Sequence, residues 1–294
     1  MLGIRDLKIL NPNGSMFFVA RHYTAYFDES YTDGLLMCVG GWLAHDIDWE
    51  RIERRWDYRI RYENARSTKR GEPSIDRYHA ADLDNFKAKF AREKGWCEDR
   101  RKIFTKKLIG ILGAMVDKLR NPIGLATGIA SPDMRDAFPS THKEKIFKQH
   151  WAAYRNCMIL NLLMLAETMR KAFPGEQVAV IHDRGPYSSA ALSAFESFQR
   201  GNTPNKRDVV TIAPMGWENC TALQPADLIA YEGRKLIKSG VKEEAQFRRS
   251  LQRIVVGNMI RVRTIPKDAL MQIAESRKLA PPPPPEYSEE GMTK

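Results

Sequence analysis

Residues 23–43 read YTAYFDESYTDGLLMCVGGWL. From Tyr23 to Glu29 the chain alternates, with Ala25 and Phe27 on one side and Thr24, Tyr26 and Asp28 on the other. That is the period of a strand. Asp33-Gly34 is a turn signal, and the apolar run Leu35–Leu43, with Gly40-Gly41-Trp42 near its end, supplies a second strand. The stretch is expected to fold as a β-hairpin, with Asp28 at the end of its first strand.

Helices and strands alternate beyond it. Trp49, Ile52, Trp56 and Ile60 recur at helical spacing and predict a helix over residues 49–65, followed by a polar loop over 67–74. Apolar stripes predict further helices over 98–119 and 143–173, the latter stopped by Pro174-Gly175. Strands are expected at 123–129, 177–183 and 209–213, and helices at 188–200, 225–237, 241–254 and 266–278. This pattern predicts an α/β fold whose first strands are antiparallel. Residues 1–22 read as a weakly structured lead-in with a turn at Asn11-Pro12-Asn13-Gly14, and 23–280 as one domain. Residues 281–294 read as an extended tail of five prolines followed by acids.

The chain has 294 residues, 43% of them apolar and 28% charged, which excludes a wholly disordered chain, a collagen and a coiled-coil rod. No apolar run reaches the roughly 18 residues of a membrane span. Arg5, Asp6 and Lys8 stand where a signal peptide would be apolar, so no export is expected. Cys38, Cys97, Cys157 and Cys220 form no CxxC pair and read as reduced thiols of a cytoplasmic protein. The net charge of +11 suggests a polyanion partner. The excess is regional: +5 over residues 51–70, +6 over 87–107 and +8 over 233–278. Each region also carries helical apolar spacing, so these are faces of folded helices.

No GxGxxG, Walker loop or GxSxG elbow is present. Ser140-Thr-His-Lys143 fits SxxK without a companion motif, and His142 and His150 are expected at or near the surface. Trp49, Trp56 and Trp151 are expected in the core. The informative residues are carboxylates. Asp28 follows Ala-Tyr-Phe, Asp183 closes Val-Ala-Val-Ile-His-Asp, and Asp227 lies in Leu-Gln-Pro-Ala-Asp-Leu-Ile-Ala-Tyr-Glu. Acids are disfavoured in strands, and strand ends are where ligands gather in α/β sheets. Two carboxylates ~4 Å apart repel by roughly 4 kcal/mol at an effective dielectric of about 20, a cost that a divalent cation removes. Each acid also has a plain structural reading: Asp28 as a turn residue, Asp183 as the start of the Arg184-Gly185-Pro186 loop, and Asp227 as a first-turn helix acid beside a Thr221/Gln224 capping box.

Phe-Asp-Glu-Ser (27–30), His-Ala-Ala-Asp-Leu (79–83), the strand ending in Asp183 and Leu-Gln-Pro-Ala-Asp-Leu-Ile-Ala-Tyr (223–231) together resemble a bacterial family, the domain-of-unknown-function 3800 family. The resemblance covers about residues 23–240. It implies a ribonuclease H-like mixed sheet with flanking helices and helical insertions. It also implies a metal-dependent nuclease in which Asp28, Asp183 and Asp227 hold Mg²⁺ or Mn²⁺, with Glu29 as a neighbouring catalytic acid. In a regular strand Glu29 faces away from Asp28. Tyr31 and His182 depart from the family pattern without removing a proposed ligand. His79 is read as a connecting-segment residue and Tyr231 as a residue that orients Asp227. Glu232 lies too far round its helix to be a ligand. The expected substrate is DNA or RNA, in a bacterial defence or mobile-element setting, with no membrane partner. The alternatives are a non-catalytic nucleic-acid-binding or protein-interaction module on the same fold, or a metal-dependent phosphatase.

Overall fold

The computed structural model describes residues 9–10, 16–17, 23–32, 36–114, 122–129, 143–238, 260–269 and 271–272, with the backbone alone over 143–148. The opening stretch is a hairpin. Strand β1 (Tyr23–Tyr31) pairs antiparallel with β2 (Met37–His45), in register from Tyr23 opposite His45 to Tyr31 opposite Met37. Strand β1 therefore runs three residues past Asp28, which pairs with Gly40. Asp28 is inside the strand, neither at its end nor in a turn. Residues 9–10 and 16–17 form a two-residue antiparallel ladder across the expected lead-in turn, whose own residues lie outside the described set.

The other strands are β3 (Ile123–Ile129), β4 (Val178–Asp183), β5 (Val209–Met215) and β6 (Ile260–Thr264). The six form one mixed sheet in the order β5-β4-β1-β2-β3-β6. Strand β2 is antiparallel to β1 and β3, whereas β4 runs parallel to β1 and β5, and β6 parallel to β3. Strand β6 was not expected from sequence. Its five residues do alternate, Ile260 and Val262 with Arg261 and Arg263, but the run is short and holds only two apolar residues. The expected helix over 241–254 and most of that over 266–278 fall outside the described residues.

Among the described residues six α-helices accompany the sheet: α1 (Asp46–Lys69), α2 (Ala80–Asp84), α3 (Glu98–Gly113), α4 (Lys143–Ala172), α5 (Ser188–Arg200) and α6 (Leu223–Lys238). Helix α1 begins earlier and ends later than its apolar stripe implies. His45 Nδ1 accepts from Ile47 N at its start, and its last turn takes up part of the expected polar loop. Period-two alternation gives the sheet two buried faces. One core unites Tyr26, Trp42 and Ile181 with α1, α3 and α6, and the other unites Phe27, Val39 and Val180 with α4 and α5. Trp49 and Trp56 are fully buried, and their indole N–H groups donate to Thr24 O and Gln224 Oε1. Trp151 is only half-buried, with its indole on Ser189. His150 is buried, contrary to its expected surface position. His142 and most of the SxxK segment lie outside the described residues. Cys38, Cys157 and Cys220 are buried free thiols, and Cys97 is exposed. No helix among the described residues is long and apolar enough to cross a membrane.

Candidate functional site

Strands β1 and β4 are adjacent and parallel, with Phe27 opposite His182. Asp28 and Asp183 are the next residues on each strand, about 4.8 Å apart in backbone spacing. Alternation sends both toward the face covered by α6, since Tyr26 and Ile181, two residues earlier, belong to that core.

Helix α6 delivers the third acid, and small residues let it come close. A Cβ on Gly40, the partner of Asp28, would stand 2.6 Å from Ala230 N and 2.7 Å from its Cα. A Cβ on Gly233 would meet Cys38 Sγ at 3.0 Å and the Ala126 Cβ at 3.2 Å. The backbone of α6 therefore rests on β2 and β3, which sets Asp227 beside the sheet. The helix starts at Leu223, so Asp227 lies beyond its first turn and is not a dipole-stabilised first-turn acid. The capping box does not form either. Gln224 Oε1 accepts from Trp56 Nε1 (3.0 Å) and Tyr78 N (2.8 Å), and Thr221 Oγ1 donates to Asp57 (2.8 Å). Asp227 Oδ2 accepts from Ala80 N at 2.6 Å. Two motif residues of α6 thus fasten the segment 78–80, and His79 carries its ring into the field of Asp227. His79 Nδ1 also lies 2.9 Å from Asp82 Oδ2.

Glu29 faces the opposite core, as alternation expects. A Cβ on Gly185 would lie 3.3 Å from its Oε1, and it acts electrostatically on Tyr154 and Tyr187 of the α4 and α5 side. The Asp28 and Glu29 carboxyls are set deep among protein atoms, although both residues keep some exposed surface. Burial pushes Asp28 well above the usual carboxylate range, and Glu29, Asp227 and Asp183 raise it further. Glu29 is pushed up to about 8, first by burial and then by Asp183. Burial also raises Asp227 and Asp183, against the opposing pull of His79 and Arg77 on the first and of Arg77 on the second. The structure thus brings all four expected acids into one field. The Asp28 carboxylate is partly held by its neighbour's backbone, Glu29 N to Oδ1 at 2.7 Å. Asp183 Oδ1 is buried without a hydrogen-bond partner, while the backbone N–H of Arg184 in the following loop lowers the proton affinity of its carboxylate.

An all-oxygen donor set with an orphaned carboxylate oxygen and mutually repelling charges suits a hard divalent cation. As the side chains stand, no three His, Cys, Asp or Glu residues among those described are arranged to hold one ion. The fit lies in donor chemistry and charge, and ligation requires the carboxylates to draw together.

Several neighbours were not legible in the sequence. Arg77 acts on both Asp183 and Asp227, and its guanidinium lies 4.3 Å above the Trp217 ring. It sits in an irregular segment without periodicity, so nothing in the local pattern marks it. Tyr154 is fully buried beneath the acids. Its hydroxyl has no hydrogen-bond partner, and its ring stacks on Tyr187 at 5.3 Å. Its spacing in α4 reads only as core. Tyr231 was expected to orient Asp227, but its hydroxyl donates to Asp84 Oδ2 at 2.8 Å. Asp84 also accepts from Arg101 (2.7 Å) and Lys235 (3.3 Å), so Tyr231 helps tie α2 to α3 and α6. Glu232 lies 3.7 Å from Lys235 and takes no part in the acid cluster.

Comparison of the chain with protein-family models, curated proteins and solved structures returned no match. The functional reading therefore rests on the acids and their surroundings.

Proposed function

We propose that the chain is a divalent-metal-dependent nuclease that hydrolyses phosphodiester bonds of DNA or RNA on a ribonuclease H-like fold. The observation that carries this reading is the cluster itself. Asp28, Asp183 and Asp227 converge from two adjacent parallel strands and the helix across them, with Asp183 raising the proton affinity of both Asp28 and Asp227, and Asp227 that of Asp28. The strand order β3-β2-β1-β4-β5, with only β2 reversed, supports the fold assignment. The motif resemblance supports the same three ligands.

Asp28, Asp183 and Asp227 would hold Mg²⁺ or Mn²⁺, which supplies a water of lowered pKa and stabilises charge on a leaving oxygen. The chain's own residues account for the rest. Glu29, with its pKa near 8, can take up or release a proton at its carboxyl near neutral pH. Arg77, held on the Trp217 ring beside two of the acids, presents guanidinium donors to phosphate oxygens. Gln224 and Asp227 keep the 78–80 segment in place, which fixes His79 and Arg77 relative to the acids.

The test is cleavage of labelled single- and double-stranded DNA and RNA with Mg²⁺ or Mn²⁺. Asp28→Asn, Asp183→Asn and Asp227→Asn are each expected to lower the rate by more than the roughly 10- to 100-fold that outer-shell partners cost. Unchanged rates in all three would overturn the site. A non-catalytic nucleic-acid-binding module is the second reading, favoured by the absence of a ready-formed ligand triad among the described residues. Binding without cleavage in any divalent ion would establish it.

A further inference from the structure

Helices α1 and α3 present a face that the acid cluster does not use. Three of the large apolar side chains exposed in the described structure lie on it: Tyr58 (64% exposed), Tyr62 (45%) and Ile103 (51%). The two tyrosines are one turn apart on α1, with ring centroids 6.4 Å apart and planes inclined by 33°. Arg59 links them to α3, because its guanidinium lies 5.0 Å above the Tyr62 ring and 5.7 Å from the Phe104 ring. Beside them an open groove of about 530 Å³ is lined by Arg55, Ile103, Lys106, Lys107, Gly110 and Ile111. Between Arg54 and Tyr62 the one carboxylate is the half-buried Asp57, which accepts from Thr221, and between Lys102 and Gly110 there is none. Arg55, Lys106 and Lys107 make no ion pair among the described residues, in contrast to Arg59, Arg100 and Arg101, which are paired with acids.

Unpaired cations along a groove suit a phosphate backbone. Exposed rings one helical turn apart suit unpaired bases, which stack on aromatic faces regardless of sequence. A duplex hides its base faces, whereas a single strand offers bases to the exposed rings and phosphates to the adjoining basic groove. We infer that the α1/α3 face is a binding surface for single-stranded nucleic acid, with phosphates on Arg55, Lys106 and Lys107 and bases on Tyr58 and Tyr62. This deepens the nuclease reading by naming the form of its substrate, and in that sense it rests on that reading. Binding itself does not depend on the acids.

The experiment is fluorescence anisotropy of a labelled 20-nucleotide oligo(dT), and of a 20-base-pair duplex, with the full chain in EDTA over a range of salt. Tyr58→Ala/Tyr62→Ala is expected to weaken single-strand binding at least about fivefold for each ring, with little effect on the duplex. Arg55→Ala/Lys106→Ala/Lys107→Ala is expected to flatten the salt slope by about 2, at roughly 0.7 per phosphate released. Asp28→Asn is expected to bind as the unaltered protein does, so binding of the oligonucleotide without metal-dependent cleavage by the unaltered protein would count against the acid site alone. Unchanged single-strand affinity in both surface variants would overturn the assignment. So would a duplex preference, or binding of phosphatidylserine vesicles without binding of the oligonucleotide. The side chains changed in the two surface variants are all exposed, so unchanged circular dichroism is expected and separates these outcomes from misfolding.

Discussion

Asp28 sits inside a strand, opposite a glycine and one residue past the Phe27/His182 pair, a position where burial and three acids all oppose its charge. Asp28→Asn removes one of the mutually repelling charges and keeps the shape. It is expected to raise the melting temperature of metal-free protein at pH 8 while abolishing metal-dependent cleavage, the trade between stability and activity common to functional sites. A scan of both proteins in EDTA checks the first half, and a lower melting temperature for the variant would contradict it. His182 acts in the opposite direction along the pH axis. Burial pushes it down to about 4, and its Nδ1 lies 2.8 Å from Asp183 O. Its stabilising contribution is complete above its unfolded pKa of about 6.5 and is lost as pH falls through about 4. His182→Gln is therefore expected to lose less melting temperature than the unaltered protein between pH 6.5 and pH 4.

Helix α6 is the element on which the site depends, because it carries Asp227 and also holds the 78–80 segment. Gly40→Ala would drive a methyl group into the backbone of Ala230. It is expected to cost about 1–3 kcal/mol in denaturant unfolding and to lower activity by displacing Asp227. Gln224→Ala strands the Trp56 indole N–H and the Tyr78 N–H, and is expected to cost about 1–3 kcal/mol for each buried donor left unpaired. Full stability in either variant, measured by urea denaturation, would show that α6 has more freedom than this packing implies. These elements differ in how far the sequence revealed them. The hairpin was legible because its alternation and turn signal agree, and α5 because its apolar face is strong and its ends are marked. Strand β6 was not, since a five-residue run with two apolar and two arginine positions is too short for its alternation to register. Asp28 and Asp183 stood out as acids in strands, where acids are disfavoured, and Asp227 through the Leu-Gln-Pro-Ala-Asp motif around it. Arg77 and Tyr154 did not, because their relevance comes from tertiary placement: one stacks on Trp217 and the other lies under the acids from a helix on the far face.

At the scale of the whole molecule, two α-helical layers enclose a sheet whose centre is acidic and whose α1/α3 exterior is basic. Glu29 gives the metal-free protein a predictable pH response. Its pKa is raised from 4.5 to about 8, so its stabilising contribution is complete below 4.5 and is lost as pH rises through about 8. Calorimetry without metal is expected to show a lower melting temperature at pH 8 than at pH 5 for this reason. A divalent cation that binds only the folded cluster is expected to restore about 2.7 kcal/mol when present at a hundredfold excess over its Kd. No Mg²⁺- or Mn²⁺-dependent rise at pH 8 would count against the ligand assignment. The strand order has a consequence for biosynthesis. Hairpin β1–β2, helix α1 and helix α3 come early in the chain, whereas β4 and α6 come late. A growing chain therefore completes α1 and α3 long before Ala230 can settle on Gly40 and bring Asp227 to the sheet. A chain that ends before α6 lacks Asp227 as well as the Gln224 acceptor that holds Trp56 and Tyr78, so the acid cluster is complete only once synthesis has passed Lys238.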